Sequence, residues 1–403
     1  MLAAAYLVAM GAMIFTAMSY GHMSAAFPSA GSTFTYAGKG INPYAGFFAG
    51  WLMMLDYVLC PSLCFWWAPP TAMLIPEIPY GVWVLLIGTV VTATNIRGVE
   101  IASKTNLVLV GFMFIVVLFF VIMCVRALLG GTGEGTLFSL APLYNPASFS
   151  LDSLVSGAAI ACFSFMGFDS ISTMAEESVN PRRDIGRATV LACVTCGAVY
   201  FIQSYVSQLI WPDYTSFANT DAALFEVAGA AGGQLTAALY TAAVVAASFT
   251  CGIASQSSAA RLLFSMGREH LLPRRWFAYI HPLYGTPAFN VLLLGAAGMI
   301  GAIVLNIPVV TELINFGGLF GFICVNAAVI RYYYIVRGEH RFFRHLLFPL
   351  IGAVVCIYLW IHLSSLALAV GFTWMAAGFV YLLLFTKGFR DKPPVLQDLK
   401  EKL

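Results

Sequence analysis

Asp169 is the residue on which chemistry in this chain turns. It lies in the apolar stretch LDSLVSGAAIACFSFMGFDSISTMAEE (151–177), with Ser164 and Gly167 just before it, where an anchoring helix would carry Leu or Val. An ionised carboxylate at the centre of a membrane helix costs at least ~2.5 kcal/mol, so such groups face a cavity or a partner. Gly167 weakens the helix at the same place, and an unwound turn offers backbone amides and carbonyls to whatever enters. Ser164, Phe165, Met166 and Gly167 are therefore expected to form that turn, with Asp169 at a polar centre. The simpler alternative is a kinked span whose Asp169 pairs with a neighbouring helix.

A second carboxylate, Asp56, sits in the apolar run PYAGFFAGWLMMLDYVLC (43–60). At about 1.5 Å per residue it lies about 18 Å from one edge of a ~30 Å core, near the midplane, and Asp169 lies ~25 Å from the opposite edge if its helix were straight. Two ammonium groups separated by a butyl chain need two acceptors along a partly apolar slot, and Asp56 with Asp169 would supply them. Either carboxylate could instead carry a coupling proton, or cap a neighbouring hydroxyl. Glu176 and Glu177 close the stretch beside Arg182 and Arg183, which predicts a cytoplasmic ion-pair cluster that could also gate the site.

Other chemistries find no footing. The nine cysteines fall in apolar segments and read as small buried residues; Cys193 and Cys196 form a C-x-x-C inside such a run, where packing outweighs redox chemistry. The six histidines lack metal-ligand spacing. No paired His and Glu, nucleophile motif or nucleotide loop is present, so neither an enzyme nor a resident cofactor or metal is expected. The basic clusters alternate with apolar runs, which is membrane topology rather than nucleic-acid binding.

The elements that must position these residues are membrane helices. The 403 residues are 60% hydrophobic and 9% charged, with a mean hydropathy of +0.86, which marks an all-α polytopic membrane protein. Eleven spans are predicted: 2 to 27, 44 to 68, 79 to 95, 105 to 129, 152 to 176, 188 to 211, 234 to 260, 288 to 305, 311 to 334, 346 to 363 and 366 to 386. Long links are expected only at 130–151 and 212–233. Threading these spans puts Lys39, Arg97, Lys104, Arg182 to Arg187, Arg261 to Arg275, Arg331 to Arg344 and the tail from Lys387 on one side, with Arg126 alone opposite. Basic residues mark the cytoplasmic face, so the C-terminus is expected inside a plasma (inner) membrane and Met1 outside. An outer start with no hydrophilic lead predicts one earlier helix, absent from this sequence. The outer loops then carry Glu77, Glu134, Asp152, Asp213, Asp221, Glu226 and Glu312, which mildly favours a cationic substrate.

Three segments, FPSAGSTFTYAGKGINPYAGFFAGW (27–51), FSFMGFDSISTMAEESVNPRRDIGRA (163–188) and SAARLLFSMGREHLLPRRW (258–276), resemble signatures of the amino acid, polyamine and organocation permease family. The similarity continues through Leu313-Ile314-Asn315-Phe316-Gly317 to the last helix. Gly50-Trp51, Leu55-Asp56-Tyr57 and Asp221-Ala222-Ala223-Leu224 look most like its bacterial putrescine importers. The resemblance implies a broken-helix fold of two inverted five-helix repeats, here lacking the first helix: 1–129 the remainder of the first repeat, 152–334 the second, 346–386 the last two helices and 387–403 a cytoplasmic tail.

It also implies a substrate-facing Tyr57, an outer gate at Phe163, and hydroxyls near a coupling site at Ser255, Ser257 and Ser258. Each aromatic could equally be packing, and each serine could bond its own helix. Proton-coupled relatives can carry a lysine in the fifth helix; the corresponding run, 106–128, has Gly111 and no lysine. The expectation is a secondary transporter importing putrescine or a related amine, with H+ as coupling ion, the lipid bilayer as surroundings and no nucleic-acid partner. The alternatives are an amino acid permease or exchanger of the same family, and a permease-like sensor or inactive fragment. Oligomeric state is open.

Overall fold

The computed structural model describes residues 2–66, 79–144, 146, 149–217 and 223–387, and among them the regular structure is helical throughout. The chain runs α1 (Leu2–Ala26), the short α2 (Ser32–Gly40), α3 (Pro43–Trp66), α4 (Tyr80–Arg97), α5 (Val99–Leu129) and α6 (Leu151–Phe163). Beyond a break, a tight 3-10 helix covers Phe168–Glu177. Then follow α7 (Pro181–Ile210), α8 (Ala223–Arg268), α9 (Ala288–Val304), α10 (Ile307–Val329), α11 (Phe348–Ile361) and α12 (Ser365–Phe385). Among the described residues, ten helical stretches are long and apolar enough to cross a membrane, α6 and the 3-10 segment counting together. The 17-residue α9 makes an eleventh apolar helix, at the short end of the ~17–25 residues a span needs.

Helix ends follow local chemistry. Ser150 caps α6 through the Ser153 amide, Asn306 caps α10 through Val309, and Ser364 caps α12 through Ala367. Each satisfies an otherwise orphaned N–H. One expectation fails: the link at 212–233 is shorter than predicted, because α8 already begins at Ala223. Gly232 and Gly233 leave the helical conformation, with φ of −148° and +72°, so two helices meet there at a kink, the second starting where the span from 234 was expected.

Lipid gives apolar helices little reason to associate, so close packing and polar cross-links must hold the bundle. Trp51 and Trp374 each donate an indole N–H to the other's carbonyl, at 2.9 and 3.0 Å, tying α3 to α12. The Gln256 amide joins α8 to α4 and α9 by donating to Thr92 Oγ1 and the Val291 carbonyl while accepting from Asn95. Asn326 of α10 donates to Thr16 of α1 at 3.0 Å. At the crossing of α10 and α3 the backbones touch: a Cβ on Gly317 would stand 2.3 Å from the Leu52 carbonyl oxygen. This contact fixes the turn of α3 that carries Asp56.

Candidate functional site

The site grows from the end of α6. The helix stops at Phe163, the backbone turns through Ser164, Phe165, Met166 and Gly167, and the chain resumes as the 3-10 helix at Phe168. Gly167 makes the break possible. Its φ of +105° is one that L side chains rarely adopt, and a Cβ there would meet nothing within 4 Å, so backbone strain alone demands glycine.

The turn is internally satisfied. The amides of Ser164, Phe165 and Met166 donate to the carbonyls of Ala161, Cys162 and Phe163, and the Ser164 carbonyl accepts from the Tyr200 hydroxyl at 3.0 Å. Phe165 is buried against Tyr200, ring centroids 5.5 Å apart. Ser164 faces the Tyr6 hydroxyl at 3.5 Å.

Asp169 is fully buried, and Tyr57 donates its hydroxyl to Asp169 Oδ2. Its other oxygen, Oδ1, has no hydrogen-bond partner among the described residues. Asp56, next to Tyr57 on α3, is also buried and close enough for the two carboxylates to feel one another's charge. Among the described residues its carboxylate makes no hydrogen bond. Counting along straight helices separated the two in depth; the Tyr57 bond instead brings Asp169 within a tyrosine's reach of the Asp56 turn. An unpartnered buried acceptor is costly, and Asp169 Oδ1, with the buried Asp56 nearby, would suit a positively charged partner.

Aromatic rings wall it. Tyr20 packs edge-on against Phe168 and Phe322, both centroids 5.8 Å away, and against Tyr36 at 5.9 Å. Its hydroxyl pairs with Thr33 Oγ1 at 2.6 Å. Sequence reasoning missed Tyr20 and Tyr36; tyrosines within apolar or small-residue runs were the available signal.

On one side of the break, a cavity of about 350 Å³ is lined by Phe163, Met166, Glu312, Asn315, His362 and Ser364, with apolar neighbours. Met166 separates it from the carboxylates: the space over Gly318 is flanked by Met166 Cε and by Asp56 Oδ2, 2.2 and 3.2 Å from where a Cβ would stand. A larger cavity of about 560 Å³ spans α1, α7 and α8, but among the described residues no charged one lines it.

The other side is closed by charge. Arg268 donates to both Glu176 oxygens at 2.8 and 3.0 Å, and Arg261 to both Glu177 oxygens at 2.7 and 3.0 Å. Arg261 also donates to Ser257 at 2.8 Å. These arginines, two helical turns apart at the end of α8, replace the expected partners. Arg182 and Arg183 are exposed at the start of α7 and form no ion pair among the described residues. Ser258 accepts from Thr173 of the 3-10 helix at 3.4 Å, joining the same closure, whereas Ser255 bonds back to the Gly252 carbonyl of its own helix. Of the acidic outer positions, Glu77 and Asp221 lie outside the described residues.

A profile of the amino acid permease family matches residues 2–386. The low-affinity putrescine importer of Escherichia coli (strain K12) is 35% identical over 404 residues, covering 98% of this chain and 88% of that protein. The methylthioribose transporter of Bacillus subtilis (strain 168) is 26% identical over 92% of this chain and 82% of its own length. The branched-chain amino acid permease of the same organism is 23% identical over 95% and 85%.

Proposed function

Because the chain belongs to the amino acid permease family, and is thus a membrane transporter and no enzyme, we propose that it imports putrescine or a closely related amine, held between Asp56 and Asp169. One observation carries this reading: the buried acceptors at the break are carboxylates, with Asp169 Oδ1 unpartnered, while the amides that an amino acid's carboxylate would need are donated within the turn. One ammonium would sit on the Asp pair, and the tyrosine and phenylalanine faces around Tyr20 would wall the alkyl chain and attract its charge. The putrescine importer among the relatives supports this substrate.

In this reading the 350 Å³ cavity is the outer approach, with Phe163 and Met166 as its gate, and the Glu176–Arg268 and Glu177–Arg261 pairs close the cytoplasmic side. The C-terminus then lies inside a plasma membrane, and the chain divides into the repeats 1–129 and 152–334. H+ is the coupling ion, carried by whichever carboxylate the amine leaves uncharged.

Uptake of labelled putrescine into proteoliposomes under an inward proton gradient tests the proposal. Asp56→Asn and Asp169→Asn should each lower the initial rate at least ~30-fold, the cost of about 2 kcal/mol for removing one partner of a buried charge pair. Wild-type rates in both variants would end it. Uptake of labelled leucine, with none of labelled putrescine, would favour the reading suggested by the branched-chain relative.

A further inference from the structure

We infer that Cys60, Cys64 and Cys251 form a binding site for a soft, thiophilic metal ion of the Zn(II) or Cu(I) type. The sulfurs all lie within 4.8 Å of one another, and they make up the one such group of metal-ligating side chains among the described residues. Cys64 and Cys251 Sγ are 2.8 Å apart although 187 positions separate them in the chain.

The geometry is that of a three-sided cup. Cys60 and Cys64 stand four residues apart, hence on one face of α3, and Cys251 reaches them from α8. A metal–sulfur bond of about 2.3 Å puts coordinated sulfurs roughly 3.8 Å apart in a tetrahedral site, so side-chain rotation within the observed spread suffices. The backbone around the cup is fixed: Gly252 lets α8 approach until its Cβ position would lie 3.3 Å from the Phe65 ring of α3. Cys64 is buried, Cys60 half-buried and Cys251 exposed, so the third thiol is not sealed inside the protein.

The ligand set selects the ion. Thiols that lose their protons on binding prefer soft d10 cations over Mg²⁺ or Ca²⁺. With a divalent ion, three S–H bonds are exchanged for three metal–sulfur bonds, three protons leave, and the complex carries one net negative charge. No oxidant is required. Occupancy would tie α3 to α8 one turn from Asp56, and the site stands whatever the chain carries.

Sequence proximity points elsewhere, which makes the inference discriminating. Cys193 and Cys196 form the C-x-x-C of the chain, yet Cys193 is buried, Cys196 is exposed and among the described residues no third ligand joins them.

The test is titration of the purified full chain with Cd(II), read by the ultraviolet thiolate-to-metal charge-transfer band and by protons released. One Cd(II) per chain and three protons per Cd(II) are expected, with loss of the band in Cys60→Ser/Cys251→Ser and its retention in Cys193→Ser/Cys196→Ser. Cys251→Ser alone, at an exposed position, gives the same loss without altering a buried residue. Absence of the band in the wild type, or its persistence in Cys251→Ser and in the double variant, would overturn the inference and leave the cluster as packing.

Discussion

The two sides of the broken helix are closed by different physics. Toward Glu177, two arginines clamp two carboxylates through four charge-assisted hydrogen bonds. Toward Phe163, the flexible side chain of Met166 stands between the cavity and Asp56. Ion pairs are directional and must be broken together before the 3-10 helix can leave α8, whereas a thioether swings aside by rotating about single bonds. A substrate-binding protein with such unequal closures rests shut on one side and readily opened on the other. In the proposed orientation such a protein would await substrate from outside.

Three variants would break or sharpen that contrast. The largest effect is expected from Glu176→Gln/Glu177→Gln, which discharges the clamp. The pairs are partly exposed, with Arg261 the most covered at 12% side-chain exposure, so each is worth no more than ~1 kcal/mol. Hydrogen exchange across residues 168–177 should rise about tenfold; unchanged exchange would mean that packing closes this side. Next, Gly167→Ala forces a side chain into a positive-φ conformation and should lower stability by about 1 kcal/mol. With nothing within 4 Å of the added carbon, a thermal melt that does not shift would show that the break tolerates other backbone geometry. The smallest effect belongs to Met166→Ala, which should raise the KM for putrescine about threefold, some 0.6 kcal/mol, and leave exchange at 168–177 unaltered. An increase in that exchange as large as the Glu variant's would erase the distinction between the two sides.

The fold was legible because hydrocarbon imposes long apolar runs. The break was legible for the same reason: Ser164, Gly167 and Asp169 have no place in a plain anchor. Partners across space were not. Glu176 and Glu177 each stand six residues before Arg182 and Arg183, yet Pro181 starts a new helix there and both arginines remain exposed, so the pairing goes to α8. The spacing of Arg261 and Arg268, two turns on one face, was the available hint. The thiol cup could not be seen at all, since two of its members are a helical turn apart on α3 and the third comes from another helix.

The central claim is that Asp56 and Asp169 together hold an ammonium group. The most direct measurement is calorimetric binding of putrescine to the purified chain and to Asp169→Asn, with leucine as a competitor. The account predicts one saturable site, a loss of affinity of at least ~30-fold in the variant, and no displacement by leucine. Equal affinity in wild type and variant, or displacement by leucine, would contradict it.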